Sequence, residues 1–347
     1  MRQKRMAAIS LDPTLSLQRI GKDSPHRHRA VIEEIEGLIR VYDDGHVERP
    51  QVVPCVTSTL SLELGVTSRD MVIDKFTNIW ARFYVPAAAS SSHGNLPLLV
   101  YFHGGGFCIG SAAWSCYHEF LARLSAKAGC LIMSVNYRLA PENPLPAAYE
   151  DGLTALIWLK QQSLRGSSSD QYWWSSLCNF SKIFLAGDSA GANIAHNVAT
   201  RLCSNNAMSL KPLSLKGTIL IQPFFGGEAR THSENYMVQP PRSALSLAAS
   251  DAYWRLALPA GANRDHPWCN PSCKELKAVK HLPAMVCISE MDILKDRNME
   301  LCRALGKSSE YVVYKGVGHA FQVLSRTQLS QIRTLEMVAD IKAFITR

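Results

Sequence analysis

Residues 183–196 read Ile183-Phe184-Leu185-Ala186-Gly187-Asp188-Ser189-Ala190-Gly191-Ala192-Asn193-Ile194-Ala195-His196. The stretch begins as an apolar strand, turns through small residues around Ser189, and continues as an alanine-rich helix. Glycines at 187 and 191 allow a strand and a helix to cross closely, and such a turn exposes the serine hydroxyl. The helix N-terminus supplies partial positive charge and free N–H groups beside it. The pattern predicts a nucleophile elbow, although the string alone leaves an ordinary glycine–serine turn open.

On both sides of this stretch the chain alternates strands with helices. The strands are nearly all apolar, as expected for strands buried on both faces. They are predicted at Leu96–Phe102, Cys130–Val135, Ile183–Ala186, Leu215–Gln222, Ala284–Ile288 and Tyr311–Tyr314. Helices are predicted at Tyr117–Ala128, Ala147–Lys160 and Asn298–Leu305, and in a closing helix with one face formed by Ile332, Leu335, Val338, Ile341 and Ile345. This alternation predicts an α/β fold around a mostly parallel sheet.

Other segments fall outside the alternation. Residues 1–30 are polar and basic and are predicted to be a disordered tail. Val31–Tyr42 and the turn after it predict a short helix followed by a small hairpin outside the sheet. Arg69–Asp74 and Ile79–Pro86 predict an antiparallel edge pair, and Ser163–Ser181 a polar surface loop. Phe224–Cys273 is a long insertion with one helix, placed to roof a pocket, and its candidate lining residues are Phe224, Tyr236, Tyr253 and Trp254.

Composition narrows the function classes. The 347 residues are 47% hydrophobic, enough for a large core, and no apolar run is long enough to span a bilayer. The ten cysteines include no C-x-x-C pair, which indicates a reducing compartment and no metal site. The net charge of +8 lies largely in the first thirty residues, so nucleic acid is not an expected partner. The basic start lacks the apolar core of a signal peptide, which predicts a cytoplasmic protein, with a nuclear location or organellar import as alternatives.

A second motif, His103-Gly104-Gly105-Gly106-Phe107, follows the strand at Leu96–Phe102. A flexible loop and a phosphate cradle are the alternatives, but the dinucleotide and P-loop spacings both fail. An oxyanion hole fits better, because glycines allow the backbone N–H groups of Gly105 and Gly106 to approach a substrate oxygen, with the N–H of Ala190 as a third donor. His103 is interpreted as a structural residue that holds the loop in shape.

A serine nucleophile needs a base, and the base needs a carboxylate to orient it. The strand at Ala284–Ile288 is followed by Asp292, and the strand at Tyr311–Tyr314 by His319. The order Ser, Asp, His, each after a strand, is the one found in α/β-hydrolases. We therefore predict Ser189, Asp292 and His319 as the catalytic residues, with Glu290 and Asp296 as local rivals for the carboxylate.

These motifs, together with Asn136-Tyr137-Arg138-Leu139-Ala140-Pro141-Glu142 and Gly318-His319-Ala320-Phe321, resemble those of the plant carboxylesterases in the hormone-sensitive-lipase-like group of α/β-hydrolases. That group also contains the gibberellin receptors. The resemblance covers the chain from about Val31 to the C-terminus. It implies the α/β-hydrolase fold, with an eight-stranded, mostly parallel sheet, helices on both faces and a cap. Residues 31–347 are then one domain, with the cap formed by about 31–65 and about 224–273.

The resemblance also implies a function: hydrolysis of small-molecule carboxylic esters without a cofactor. Two alternatives stay open, a hormone-binding protein of the receptor type and a specialised enzyme that hydrolyses lactones or enol ethers or runs an elimination. The receptors have lost the catalytic histidine, whereas His319 is present here. The natural substrate and the oligomeric state cannot be read from the sequence.

Overall fold

The computed structural model describes residues 29–87, 95–164, 173–204, 209–239, 243–271 and 273–347. The strands in chain order are β1 Val31–Ile35, β2 Ile39–Tyr42, β3 Val47–Glu48, β4 Val66–Asp74, β5 Ile79–Pro86, β6 Leu96–Phe102, β7 Leu131–Asn136, β8 Cys178–Asp188, β9 Leu215–Ile221, β10 Ala284–Ser289 and β11 Ser309–Tyr314. The helices are α1 Ser115–Ala128, α2 Ala147–Leu164, α3 Ala190–Cys203, α4 His232–Tyr236, α5 Leu247–Ala257, α6 Cys273–Val279, α7 Lys295–Leu305, α8 Phe321–Leu324 and α9 Gln328–Thr346. Within these ranges no helix combines the length and the apolar character that crossing a membrane requires.

The predicted eight-stranded sheet is present, in the order β11-β10-β9-β8-β6-β7-β5-β4. From β11 to β7 every neighbouring pair is parallel. β5 joins β7 antiparallel, and β4 pairs antiparallel with β5 at the edge, as the alternating pattern there predicts. Because β6, β8, β9, β10 and β11 run in one direction, their carboxyl ends meet at one edge of the sheet, where ligands of open α/β sheets bind.

Two apolar layers sandwich this sheet. Successive residues of a strand point to opposite faces, so Leu98 and Val100 of β6 pack on one side and Leu99 and Tyr101 on the other. The first layer includes residues of α2, α3 and α7, and the second those of α1 and α9. Helices therefore cover both faces, as the continuous apolar strands require.

The helix predicted at the start of Val31–Tyr42 is wrong, because β1 and β2 form an antiparallel pair there. Ile35 and Ile39 are directly opposite each other across a tight turn in which Gly37 has φ +70°. A hairpin of this size places apolar residues four positions apart, which is the spacing of one helical face. The small hairpin predicted after it is present as β2 and β3, and all three strands form a separate sheet.

Two further predictions need correction. The segment predicted as a polar loop holds Trp174, which is buried against Phe83 with ring centroids 4.6 Å apart, and β8 already begins at Cys178. In α9, Ile332 and Leu335 are exposed while the later residues of the predicted face are buried. Steps of three residues drift around a helix of 3.6 residues per turn, so the first two side chains point toward solvent. The predicted tail lies outside the described residues, apart from positions 29 and 30.

Candidate active site

Ser189 lies in the turn between β8 and α3. Its backbone has φ 52° and ψ −119°, and its N–H donates to Ile221 O at 2.8 Å. A Cβ on Gly191 would lie 1.9 Å from Phe102 O, and one on Gly187 would lie 2.4 Å from the carbonyl carbon of Gly191. Only glycine therefore allows the strand and the helix to cross this closely. The turn has the geometry expected of a nucleophile elbow.

Ser189, His319 and Asp292 are brought together although they are far apart in sequence. His319 Nε2 lies 2.8 Å from Ser189 Oγ, and His319 Nδ1 lies 2.7 Å from Asp292 Oδ2. A carboxylate only accepts, so Nδ1 carries the proton and Nε2 is free to accept from the serine hydroxyl. The loops after β10 and β11 are joined by a bond from Met291 N to Val317 O at 3.0 Å. The arrangement can pass a proton from the hydroxyl to the imidazole.

Charge and burial shift the pKa values of His319 and of the nearby Asp188. Burial lowers the pKa of His319, but the charge and the hydrogen bond of Asp292, with a smaller contribution from Asp188, outweigh burial and leave that pKa above 6.5. Burial also raises the pKa of Asp188, to about 6, although its hydrogen bonds from Tyr101 and Tyr117 work in the opposite direction. Asp188 also accepts from Gly104 N at 3.0 Å, so this carboxylate fixes the start of the glycine loop, the turn of residues 103–106 after β6.

The glycine loop borders the cavity beside Ser189. Gly105 has φ +113° and Gly106 φ +57°, and both line the same cavity as Ser189. A Cβ on Gly105 would lie 2.2 Å from Ile109 O, and one on Gly106 would lie 2.2 Å from the ring of Tyr253. Among the described residues, none accepts a hydrogen bond from the N–H of Gly105, Gly106 or Ala190. Three N–H groups are therefore available near Ser189 for a developing oxyanion.

The neighbouring histidine and the rival carboxylates have other partners. His103 is fully buried, stacks on Tyr137 with centroids 4.3 Å apart, and its Nδ1 lies 2.8 Å from Gly104 O. Burial lowers the pKa of His103 to about 4, so the ring is neutral at physiological pH. Glu290 accepts from Gly316 N at 2.9 Å, and Asp296 accepts from Ser233 N at 2.7 Å. Both rivals therefore hold backbone in place away from the imidazole.

A cavity of about 440 Å³ opens above these groups. Its walls are mostly apolar and come from distant parts of the chain, among them Leu38, Val52, Val53, Ile109, Trp114, Phe224, Leu245, Tyr253 and Leu324. Of the four aromatics predicted to line the pocket, Phe224 and Tyr253 do so. Trp254 instead stacks behind Phe224 with centroids 4.7 Å apart, and Tyr236 is 70% exposed on α4. Within the described ranges, no three His, Cys, Asp or Glu side chains lie close enough together to hold a metal ion.

Several residues that line the cavity are not singled out by the sequence patterns. Trp114 directly precedes α1 and Tyr117 lies in its first turn, and their three-residue spacing is typical of an ordinary helix face. Val52 and Val53 lie in an irregular segment without periodicity. The signal that could have found Trp114 and Tyr117 is their position just after the glycine loop, at the active edge of the sheet.

The chain is similar to known hydrolases over most of its length. The family described as alpha/beta hydrolase fold matches residues 99–323. Probable carboxylesterase 6 of Arabidopsis thaliana is 56% identical, covering 92% of this chain and 92% of that protein. The gibberellin receptor GID1A of the same plant is 35% identical, covering 74% of each. Among solved structures, an esterase from Pyrobaculum calidifontis superposes with a TM-score of 0.65 at 28% identity, covering 80% of this chain and 85% of that one.

Proposed function

The chain belongs to the α/β-hydrolase fold family, and from this membership we propose that it is a carboxylesterase whose nucleophile is Ser189. The observation that carries the proposal is the continuous pair of contacts, 2.8 Å and 2.7 Å, from Ser189 through His319 to Asp292. The esterase relatives and the mostly parallel sheet support the same reaction class.

The proposed mechanism has two halves. In the first, His319 Nε2 takes the proton of Ser189 as Oγ attacks the ester carbonyl, and the oxyanion accepts hydrogen bonds from Gly105, Gly106 and Ala190. The imidazolium, stabilised by Asp292, then gives that proton to the leaving alcohol, and the acyl group stays on Ser189. In the second half, His319 takes a proton from a water as that water attacks the acyl carbonyl, and it returns the proton to Ser189 Oγ as the carboxylic acid leaves.

The cavity walls support small, largely apolar and uncharged esters as the substrate class. Among the described wall residues none is Lys or Arg, and the charged side chains are Glu36 at the β1–β2 turn and the buried Asp188. An ester that carries a carboxylate would meet like charge there without a cation to compensate. We also propose that residues 31–65 and 224–273 form the cap over this pocket, and that the enzyme works in the cytoplasm, which a fluorescent fusion of the full chain tests.

The receptor relative is the second candidate function. A receptor needs a pocket that can hold its ligand, and a cavity of about 440 Å³ has room for a small molecule. It does not need a base, however, and His319 Nε2 lies at hydrogen-bonding distance from Ser189 Oγ. Hydrolysis is therefore the function we assign.

The test is turnover of p-nitrophenyl acetate, butyrate and octanoate by the wild-type protein and by Ser189→Ala. We expect the substitution to lower kcat by on the order of 10⁶, as removal of the nucleophile does in a serine protease. Ser125→Ala, a buried serine on α1 that donates to Cys130 O, is the matched control and should keep wild-type turnover. Unchanged turnover in Ser189→Ala would rule out the proposed nucleophile. If both proteins were folded but inert, a ligand-binding function of the receptor type would replace the esterase as the proposed function.

A further inference from the structure

Gln222 is a buried amide beside the active site that the mechanism above does not use. It directly follows β9, its side chain is fully buried, and its backbone has φ +47°, which is uncommon for a residue other than glycine. Such a conformation costs free energy, so neighbouring contacts must hold it in place. Gln222 does not line the cavity.

The side chain of Gln222 holds the loop that carries His319. Its Oε1 accepts from Ala320 N at 2.7 Å, and Ala320 is the next residue after His319, with φ +55°. Its Nε2 donates to Ser289 Oγ at 2.7 Å, at the end of β10, and lies 3.4 Å from Gln322 Oε1. One amide therefore connects the segment after β9 with the end of β10 and with the loop after β11, and the proposed Asp292 and His319 follow those last two strands.

The backbone around Gln222 holds the nucleophile. Ser189 N donates to Ile221 O at 2.8 Å, and Phe224 N donates to Ser189 O at 3.0 Å. Gln222 N donates to Cys287 O at 2.8 Å, which ties the same segment to β10. Residues 221–224 thus bind the main chain of Ser189 on both sides, while the Gln222 side chain binds the neighbour of His319.

We propose that Gln222 is a positioning residue that fixes the distance between the base His319 and the nucleophile Ser189. The proposal rests on the proposed function, because it assigns those two residues their roles. Removal of the Gln222 acceptor leaves the buried Ala320 N–H without a partner, and the loop must then move to find one. A shift of roughly 1 Å at a reacting group costs about a hundredfold in rate.

The first comparison is between Gln222→Met and wild type in steady-state hydrolysis of p-nitrophenyl butyrate. We expect kcat to fall about tenfold to a hundredfold while KM stays within about twofold, because the apolar side chains that line the cavity are unchanged. Gln162→Met is the matched control, since Gln162 is a buried amide on α2 outside the site and should keep wild-type kcat.

A conservative variant separates positioning from general damage. Gln222→Glu keeps an oxygen that accepts from Ala320 N, and its protonated carboxyl can still donate to Ser289 Oγ. We expect it to restore kcat to within a few-fold of wild type. Gln222→Asn keeps the amide but is one methylene too short to reach Ala320 N, so its kcat should fall as in Gln222→Met. The Asn variant decides the question if the Met variant does not fold.

Proton NMR gives a readout that is independent of turnover. The Nδ1–H of His319, shared with Asp292, should give a strongly deshielded resonance in wild type and in Ser189→Ala. It should broaden or disappear in Gln222→Met and return in Gln222→Glu. Folded Gln222→Met or Gln222→Asn with wild-type kcat and an unchanged resonance would overturn the proposal. Active Ser189→Ala would instead overturn the proposed function, so the two failures are distinguishable.

Discussion

Among the single residues of the site, Asp292 has the clearest electrostatic effect. It raises the pKa of His319 against the effect of burial, so wild-type activity should rise with pH through a pKa above 6.5 as the imidazole loses its proton. In Asp292→Asn the charge of Asp292 is lost, so only the smaller effect of Asp188 opposes the lowering of the His319 pKa by burial. The acid limb of the pH profile of kcat/KM should therefore move to lower pH, while kcat falls by about 10⁴.

Asp296→Asn is the control for this change, because Asp296 accepts from Ser233 N and does not contact the imidazole. Its pH profile should match that of wild type. An Asp292→Asn enzyme with its acid limb at the wild-type position would contradict the role of Asp292.

The proposed catalytic residues could be predicted from the sequence because they lie in short motifs. Ser189 lies between two glycines that the elbow geometry requires, and Asp292 and His319 each follow an apolar strand. Tyr101 gives no such signal, because its role depends on a hydroxyl that reaches Asp188 across 87 positions of the chain. The role of Gln222 could not be predicted either, since a glutamine after a strand belongs to no motif with a characteristic spacing.

The turn between β8 and α3 sets a strict size limit at Gly191. In Gly191→Ala the added Cβ would meet Phe102 O at 1.9 Å, and backbone on both sides would have to move. We expect a loss of about 1–3 kcal/mol in the free energy of unfolding, typical of overpacking. We also expect kcat to fall about a hundredfold as the elbow shifts. Thermal unfolding and steady-state kinetics measure the two effects.

Gly129→Ala is the control for that substitution. Gly129 ends α1 with φ +68° and has open space where a Cβ would stand. The variant should lose about 1–2 kcal/mol for its backbone conformation and keep wild-type kcat. If Gly191→Ala behaves in the same way, the close crossing of strand and helix is not what the site requires.

A segment we call the strap, residues 52–60, brings Val52 and Val53 to the cavity. Arg82 of β5 is buried and fastens the strap: its Nη2 donates to Val56 O at 3.0 Å and its Nη1 to Thr57 O at 3.3 Å. Arg82 is itself held by Asp70 at 2.6 Å. Arg82 therefore joins the strap to the sheet beside two other attachments, the hydrogen bond from Ser68 Oγ to Ser58 O and the backbone hydrogen bond from Val56 N to Ala113 O at 2.8 Å.

Arg82→Met should loosen the strap and leave the catalytic groups in place. We expect KM for p-nitrophenyl butyrate to rise about three- to tenfold, equivalent to about 0.7–1.4 kcal/mol, with kcat within about twofold. Arg123→Met, on the exposed face of α1, is the control. A fall in kcat without a change in KM would show that Arg82 acts on the chemistry rather than on the pocket wall.

Periodicity identified elements best where one pattern was long. β6 matches its predicted range, Leu96–Phe102, because a central strand is apolar throughout. The sequence predicts a helix where β1 and β2 form a hairpin, because the tight turn places Ile35 and Ile39 at the spacing of one helical face. The wall formed by the strap could not be predicted, since its position depends on tertiary contacts such as those with Arg82 and Ala113.

At the level of the whole chain, the cysteines test the expected redox state. The nine cysteines with described side chains are all free thiols, and only Cys55 and Cys203 are exposed. Burial raises the pKa of the others that lie in the core, such as Cys130 and Cys287, which keeps them protonated and unreactive. Activity and melting temperature should therefore be the same with and without dithiothreitol. A lower melting temperature under reducing conditions would reveal a stabilising disulfide.

The class of the whole fold could be predicted, but its strand order could not be derived from the residues alone. Alternating strands and helices indicate a mostly parallel sheet. They do not indicate that β8 pairs with β6 rather than with β7, its predecessor in the chain. That choice depends on the crossover connections, and only the family resemblance implied eight strands.

The strand order also has a consequence during synthesis. Ser189 lies 130 positions before His319, and the proposed carboxylate and base, Asp292 and His319, follow β10 and β11, which leave the ribosome late. A nascent chain can form β6, β7 and β8 and present its serine, yet β9 still has an open edge until β10 arrives. Because Asp292 and His319 follow the strands that cover this edge, we expect hydrolysis to begin only after the edge is covered. The appearance of activity would mark the end of folding, and a chain released early would be inert and prone to aggregate.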